Sequence, residues 1–305
     1  EVILPSYTFV STANPFFLRG ATLIFADSRA DHPNMDVDQI EKLITPNTKA
    51  VVLVHYAGVS SFTSKLLELK EEHGFAIIED AAHAYGSADH EIGKALGTIG
   101  DIGCLSFHDS KNIICGEGGC LIINRPDLIQ KAEIIREKGT NRSAFLRKEV
   151  KKYEWVNVGS SYLPSELEAA FLLAQLENDE QLTAGRIVCW SRYHQNLGNK
   201  LKDVGIQFSD LAENTIHNSH IFYLVCRSAD ERNQLSAFLM QQDITAVFHY
   251  QSLHNSPFFS EKYNGPSLPN ADRYSANLLR LPLFSSLTAA QVDRVCAAIL
   301  EFYTL

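Results

Sequence analysis

Through the first eighty residues, short apolar runs alternate with segments of helical spacing, and this alternation constrains the fold more than any other feature. Runs of strand length occupy 2–4, 22–26, 50–54 and 76–78. Between them, 11–18, 37–44 and 64–73 carry helical spacing. In the last of these, Leu66, Leu69 and Lys70 share one face, with Glu68, Glu71 and Glu72 largely on the other. Alternation of this kind builds βαβ units, whose strands run parallel. Gly20, Gly58, Gly74 and Gly97 mark the turns. The expected class is α/β with a mostly parallel central sheet.

The rhythm changes after Gly100. Strands expected at 102–106 and 120–123 flank the loop Gly116-Glu117-Gly118-Gly119, and a helix is expected over 126–137 with Pro126 in its first turn. Residues 138–158 are polar and aromatic without a period, which reads as a long functional or subunit-contacting loop. A long helix is expected over 165–195, interrupted near Gly185. It would link a large domain, 1–185, to a small α+β domain, 186–305, with strands at 221–226 and 245–248 and helices at 230–241 and 288–303. Two domains suit 305 residues at roughly 150 per domain.

Composition removes several classes. With 27 basic and 36 acidic residues the net charge is −9, which argues against a general nucleic-acid or anionic-membrane binder. No run approaches the ~20 apolar residues of a membrane span. The six cysteines are scattered with no CxxC pair, so they read as reduced thiols of a cytoplasmic protein, without zinc-type spacing. HExxH and GxxxxGK[ST] are absent. The glycines of Gly97-Thr98-Ile99-Gly100-Asp101-Ile102-Gly103 have the wrong spacing for a dinucleotide fingerprint. The chain opens on Glu1 and enters a strand at once, so an N-terminal portion is expected ahead of it.

Two segments can carry chemistry. Ala76-Ile77-Ile78-Glu79-Asp80-Ala81-Ala82-His83 is an apolar strand ending in two carboxylates and, three residues on, a histidine. Ligands of open α/β sheets bind at the carboxyl ends of strands, where Asp80 can face a ligand cation; the alternative is a helix cap. In Ser106-Phe107-His108-Asp109-Ser110-Lys111-Asn112, Lys111 follows a strand and precedes a glycine-rich turn. Lysines are mostly solvated, but one in a desolvated cleft has a lowered pKa and can bond a carbonyl carbon. Ser106, at the strand end, can reach a phosphate or simply satisfy a turn. A carboxylate and a lysine at two strand ends, 31 residues apart, suit pyridoxal 5'-phosphate (PLP), which needs a lysine at its aldehyde and an acid on its pyridine nitrogen.

The runs Pro5-Ser6-Tyr7-Thr8-Phe9-Val10-Ser11-Thr12-Ala13-Asn14, Val54-His55-Tyr56-Ala57-Gly58, Glu79-Asp80-Ala81-Ala82-His83, Ser106-Phe107-His108-Asp109-Ser110-Lys111 and Gly116-Glu117-Gly118-Gly119 resemble, in order and over essentially the whole chain, the DegT/DnrJ/EryC1/StrS sugar aminotransferases. The stretches Arg136-Glu137-Lys138-Gly139-Thr140-Asn141-Arg142-Ser143 and Gly159-Ser160-Ser161-Tyr162-Leu163 narrow the likeness to members acting on nucleotide-linked 4-keto-6-deoxy sugars. The resemblance implies a fold-type-I PLP-dependent transferase (aspartate aminotransferase-like). It also implies a homodimer with active sites at the subunit interface, and L-glutamate as amino donor, released as 2-oxoglutarate.

By the same resemblance Lys111 is the lysine on the cofactor aldehyde, Asp80 the partner of the ring nitrogen and Ser106 a phosphate contact. His83 stands where many members have Gln, and either can donate to the ring oxygen. Ser161 occupies a position, often Asn in relatives, that reaches the cofactor phosphate of the partner subunit. Arg142 and Lys138 are candidates for the sugar's diphosphate, and His220, His249, Tyr250 and His254 for the sugar site. Family members carry roughly seventy residues ahead of Pro5-Ser6-Tyr7, including a small-residue turn that binds the cofactor phosphate through backbone N–H groups. Two alternatives stay open. In sugar dehydratases of this fold the lysine position is typically His, so Lys111 favours transamination. A non-catalytic fragment that binds nucleotide sugar or a partner chain is the other.

Overall fold

Residues 50–54 show why the central sheet forms. All five are apolar, three of them β-branched valines, and all are buried. Ala50 and Val52 enter one core and Val51 and Leu53 another, so both faces of the strand are covered, as a parallel sheet requires. A computed structural model describes residues 1–210 and 215–304.

The chain begins β1 (Val2–Pro5), α1 (Val10–Leu18), β2 (Leu23–Ala26), β3 (Ala50–Val54), α2 (Ser64–His73) and β4 (Ala76–Asp80). The short pair β5 (Ala88–Asp89) and β6 (Lys94–Ala95) precedes β7 (Ile102–Ser106), β8 (Gly119–Ile123), α3 (Pro126–Arg136), α4 (Arg142–Leu146), α5 (Glu166–Leu176) and α6 (Asp179–Asp203). Then come β9 (Gln207–Phe208), β10 (Thr215–Ile216), β11 (Tyr223–Val225), α7 (Ala229–Gln241), β12 (Val247–Phe248), α8 (Pro269–Asn277), β13 (Leu278–Arg280) and α9 (Ala289–Tyr303).

The large sheet has the order β2-β1-β3-β4-β7-β8. Every pairing is parallel except β7 with β8. The expected α/β class with a mostly parallel sheet is what the chain adopts. A four-stranded antiparallel sheet, β12-β13-β11-β9, packs on it. Along β11, Tyr223 and Val225 face the large sheet's core, whereas Leu224 joins a second core with α6 and α9. That alternation makes the small sheet a shared wall.

Three expectations need correction. Residues 37–43 form a 3₁₀ helix capped by the Asp36 side chain rather than an α-helix, and Pro46 follows three residues on. The break in the long helix lies at Glu177–Asn178, between α5 and α6. Gly185 is inside α6, where a Cβ would lie 3.0 Å from the Ser285 carbonyl, so this glycine serves close packing and breaks nothing. The segment 138–158 contains α4 and an isolated bridge between Thr140 and Trp155. The glycines at 97 and 103 also have a packing explanation: a Cβ on Gly103 would lie 1.8 Å from the Gly97 carbonyl oxygen.

Candidate active site at the carboxyl edge of the large sheet

Side chains alternate along β4, so Glu79 and Asp80 face opposite sides. Glu79 is fully buried. It accepts bonds from the backbone N–H groups of Gly97 (2.6 Å), Ile99 (2.7 Å) and Gly100 (2.6 Å) and pairs with His55 Nε2 at 2.9 Å. Burial pushes its carboxyl pKa up, but the His55 and backbone bonds outweigh burial and leave it below the usual value. Glu79 is therefore a staple between β4 and the loop behind the sheet.

Asp80 faces a cavity of about 770 Å³ above the ends of β3, β4 and β7. The Thr12 hydroxyl donates to its Oδ2 at 2.6 Å, and the Ala82 N–H donates to Oδ1 at 3.2 Å. Thr12 in turn lies 2.7 Å from the Thr8 hydroxyl. With its own proton given to Asp80, Thr12 Oγ1 accepts from Thr8. The first turn of α1 thus fixes the carboxylate's direction.

Lys111 enters the same cavity from the loop after β7. Phe107, Ile113 and Cys115 anchor that loop in a small apolar cluster, and the Lys111 N–H closes a turn on the His108 carbonyl at 3.0 Å. Among the described residues no hydrogen bond or ion pair engages its Nζ. Burial lowers the ammonium's pKa to about 8; Asp80 opposes the shift and the charge of Arg280 adds to it. Roughly a tenth of the amine is therefore neutral at pH 7, far more than for a solvated lysine.

The facing wall is aromatic. The Ala57 N–H donates to His83 Nδ1 (3.3 Å), so Nε2 carries the hydrogen and donates to the Tyr250 hydroxyl at 3.0 Å. His220 Nδ1 donates to Asn112 Oδ1 at 2.7 Å, and the rings of His83 and His220 lie 4.5 Å apart. His249 Nδ1 is 2.9 Å from the Tyr56 hydroxyl. Burial, first among the causes, holds all three histidines below their usual pKa, so at neutral pH they are uncharged rings. Asn218 knits the wall together by donating to the His83 and Tyr85 carbonyls.

Asp80, His83, Ser106, Lys111, His220, His249 and Tyr250 thus line one cavity. Ser161 and Arg142 do not. Ser161 is exposed and bridges to Glu137, and the half-exposed Arg142 lies 3.5 Å from the Glu137 carboxylate. Lys138 is exposed and holds a turn at φ 65°. His254 is structural: its Nδ1 shares a hydrogen bond with the Ser6 hydroxyl at 2.7 Å, away from the cavity. Sequence reasoning passed over Thr12, Asn218 and, above all, Arg280, which also lines the cavity. The signal for Arg280 was available: a single charge inside the apolar run Leu278-Leu279-Arg280-Leu281. Among the described residues, no group of three His, Cys, Asp or Glu side chains is placed to hold a metal ion, and no helix is long and apolar enough to cross a membrane.

Comparison with solved structures gives the same fold. The DesV protein of S. venezuelae, solved in complex with a ketimine intermediate, is 29% identical with a TM-score of 0.88, over 99% of this chain and 77% of that one. The aminotransferase TlmJ of Streptoalloteichus hindustanus is 27% identical with a TM-score of 0.88, over 99% and 79%. A sugar aminotransferase of Streptococcus pneumoniae in its PLP-form, at 24% identity, shares the fold with a TM-score of 0.87, over 99% and 80%. Residues 1–300 match a single family description over nearly the whole length, and the chain belongs to the DegT/DnrJ/EryC1/StrS aminotransferase family.

Proposed function

We propose that this chain is a PLP-dependent aminotransferase of a nucleotide-linked 4-keto-6-deoxy sugar with L-glutamate as donor. The narrowest reading is dTDP-4-keto-6-deoxy-D-glucose converted to dTDP-4-amino-4,6-dideoxy-D-galactose, a step of enterobacterial common antigen synthesis. One observation carries the reading: an oriented carboxylate, Asp80, and an unengaged amine of lowered pKa, Lys111, face one cavity in a chain of this family.

The donor set suits the cofactor. When bound, PLP supplies an electron-accepting ring that takes up negative charge from the donor carbon. Asp80, already fixed by Thr12 and Ala82, would hold a proton on the ring nitrogen. Lys111 would hold the cofactor at its aldehyde carbon, and its Nζ, as a free amine, would be the group that moves the donor's Cα proton. His83 Nε2–H can turn from Tyr250 to a ring oxygen. Ser106 would meet the cofactor phosphate, and His220, His249 and Tyr250, which line the same cavity, would border the sugar.

Ser161, outside this cavity, would reach the cofactor phosphate of a second copy in a homodimer. We assign Arg142 to the sugar diphosphate on the same basis. Six free cysteines fit a cytoplasmic home. We also divide the chain at 185/186; the buried residues of α6 begin at Arg186.

The test uses the full-length chain loaded with PLP. Visible absorbance of the lysine-bound cofactor is expected, and glutamate should bleach it. A chain without that band overturns the reading, and a band that persists in Lys111→Ala overturns the lysine assignment. Turnover of a different keto sugar, with none of the dTDP substrate, removes the narrower name.

A further inference from the structure

We propose that Asn112 locks the His220 ring with its hydrogen on Nδ1, so that His220 offers the cavity a bare Nε2 that accepts a hydrogen bond from a hydroxyl of the sugar. Asn112 is then a positioning residue and His220 a specificity-determining one. The sugar contact rests on the transaminase reading above; the lock does not.

The lock follows from the neighbours of the Asn112 amide. Its Nδ2 donates to the Asn218 carbonyl at 3.0 Å, which leaves Oδ1 as the end turned to His220. An amide oxygen only accepts, so the His220 Nδ1, 2.7 Å away, carries the hydrogen. A neutral imidazole has one N–H, and Nε2 therefore keeps its lone pair. Among the described residues nothing bonds that nitrogen, and His220 lines the cavity. The His83 ring, 4.5 Å away, has the opposite tautomer, with Nδ1 accepting from the Ala57 N–H and the hydrogen on Nε2. The wall thus sets a donor beside an acceptor.

The segment that carries His220 is built to hold this arrangement. Ser219 is buried and sits in the left-handed region at φ 55°. A residue with a Cβ stays there only where its surroundings over-determine it, and such positions cluster at ligand sites. Both neighbours of Ser219 are tied down. The Asn218 side chain donates to the His83 and Tyr85 carbonyls at 2.7 and 2.8 Å and accepts from the His220 N–H at 3.1 Å. Arg186 holds the His220 carbonyl at 2.7 Å. Asn112 directly follows Lys111, so the amide that fixes the ring also ties the loop of the reacting lysine to it.

Chemistry selects the group that meets Nε2. Burial first, then the charges of Arg186, Lys111 and Arg280, hold the ring well below the usual histidine pKa, so at neutral pH it takes no proton and serves only as an acceptor. The same three charges disfavour a cationic donor such as an ammonium. A neutral hydroxyl is left. Glutamate has none, whereas a sugar carries one on most of its ring carbons. The cofactor's ring hydroxyl has the same chemistry, and the experiment separates the two.

The chain is labelled with nitrogen-15 histidine and its ring nitrogens are read by NMR without cofactor. The ring whose signals vanish in His220→Phe should show a protonated Nδ1 and a bare Nε2, the reverse of the tautomer a solvated imidazole prefers. Asn112→Leu should lose that pattern, and Asn112→Asp, which keeps an acceptor, should retain the protonated Nδ1. A protonated Nε2 in the native chain overturns the proposal, as does a native pattern that survives in Asn112→Leu. In the PLP-loaded enzyme, His220→Phe should raise the KM for the keto sugar about 10-fold. The glutamate concentration that half-bleaches the cofactor should change less than about 3-fold. An unchanged sugar KM, or equal damage to both half-reactions, overturns the sugar contact. Weakened PLP uptake with a shifted visible band in His220→Phe overturns it too, by giving Nε2 to the cofactor's ring hydroxyl. Where His220→Phe does not fold, His220→Gln supplies both the assignment and the kinetics. A native chain that takes up no PLP overturns the transaminase reading itself, a result distinct from these, and the cofactor-free spectra still decide the lock.

Discussion

Lys111 shows how one buried group ties stability to chemistry. Burial brings its pKa from 10.5 to about 8. Below pH 8 the folded and unfolded chains both carry the charge, and the folded chain bears its desolvation. Between pH 8 and 10.5 the unfolded chain holds more protons than the folded one, so this group's contribution to stability rises with pH. Lys111→Met removes the penalty. The cofactor-free variant is expected to be more stable than the native chain at pH 7 by roughly 2–3 kcal/mol, and the gap should close as pH climbs from 8 toward 10.5. Urea unfolding at pH 7 and pH 9.5 checks this; a gap of constant size refutes it. Asp80 and Lys111 were legible because each follows a strand visible as an apolar run. Arg280 was not read, because its strand is three residues long and its meaning depends on which of two cores each neighbour enters. Ser161 and Arg142 came from resemblance alone, and no spacing in the sequence says what they touch.

At the scale of elements, the long periodic segments were readable and the short ones were not. The strands of the large sheet and helices α2, α3, α7 and α9 lie within a few residues of where apolar patterning puts them. Strands β5, β6, β9 and β10 are two residues each, too short for any period to declare itself. What holds β4 in place is also invisible to periodicity. Glu79 sits in an apolar strand and reads as a second site carboxylate, yet three of its bonds tie β4 to the loop at Gly97, Ile99 and Gly100 and a fourth ties it to His55. Glu79→Gln puts an NH₂ group against donors that need an acceptor. A loss of about 3 kcal/mol or more in unfolding free energy is expected. Because the folded carboxyl pKa is depressed, the native advantage is present above pH 4.5 and is lost as pH falls below it. Denaturant midpoints at pH 7 and pH 4 would expose the trend, and a variant as stable as the native chain at pH 7 would remove Glu79 from the role of staple.

At the scale of the whole molecule, the site and an uncovered apolar face are neighbours. Helix α5 has no buried residue. Leu172 and Leu176 on its inner side pack against Phe107, Ile113 and Cys115, the residues that anchor the Lys111 loop. On the same stretch of chain Trp155 is 79% exposed, Leu167 83% and Phe171 51%. Isolated exposed apolar residues need no explanation, but aromatic and leucine side chains gathered beside a cavity have the composition of an association surface. A second copy seated there would press on α5 and, through Leu172 and Leu176, on the loop carrying Lys111. In the proposed homodimer, then, association and chemistry are mechanically coupled. Leu167→Glu combined with Phe171→Glu places two like charges one helical turn apart on the outer side of α5, leaving the inner contacts intact. The double variant should keep its circular dichroism but dissociate at least about 100-fold more readily in sedimentation velocity. Its transaminase rate should depend on protein concentration over the range where the native enzyme's does not. A native chain that sediments as a monomer at every concentration, or a dissociated variant with full activity per chain, would sever this coupling.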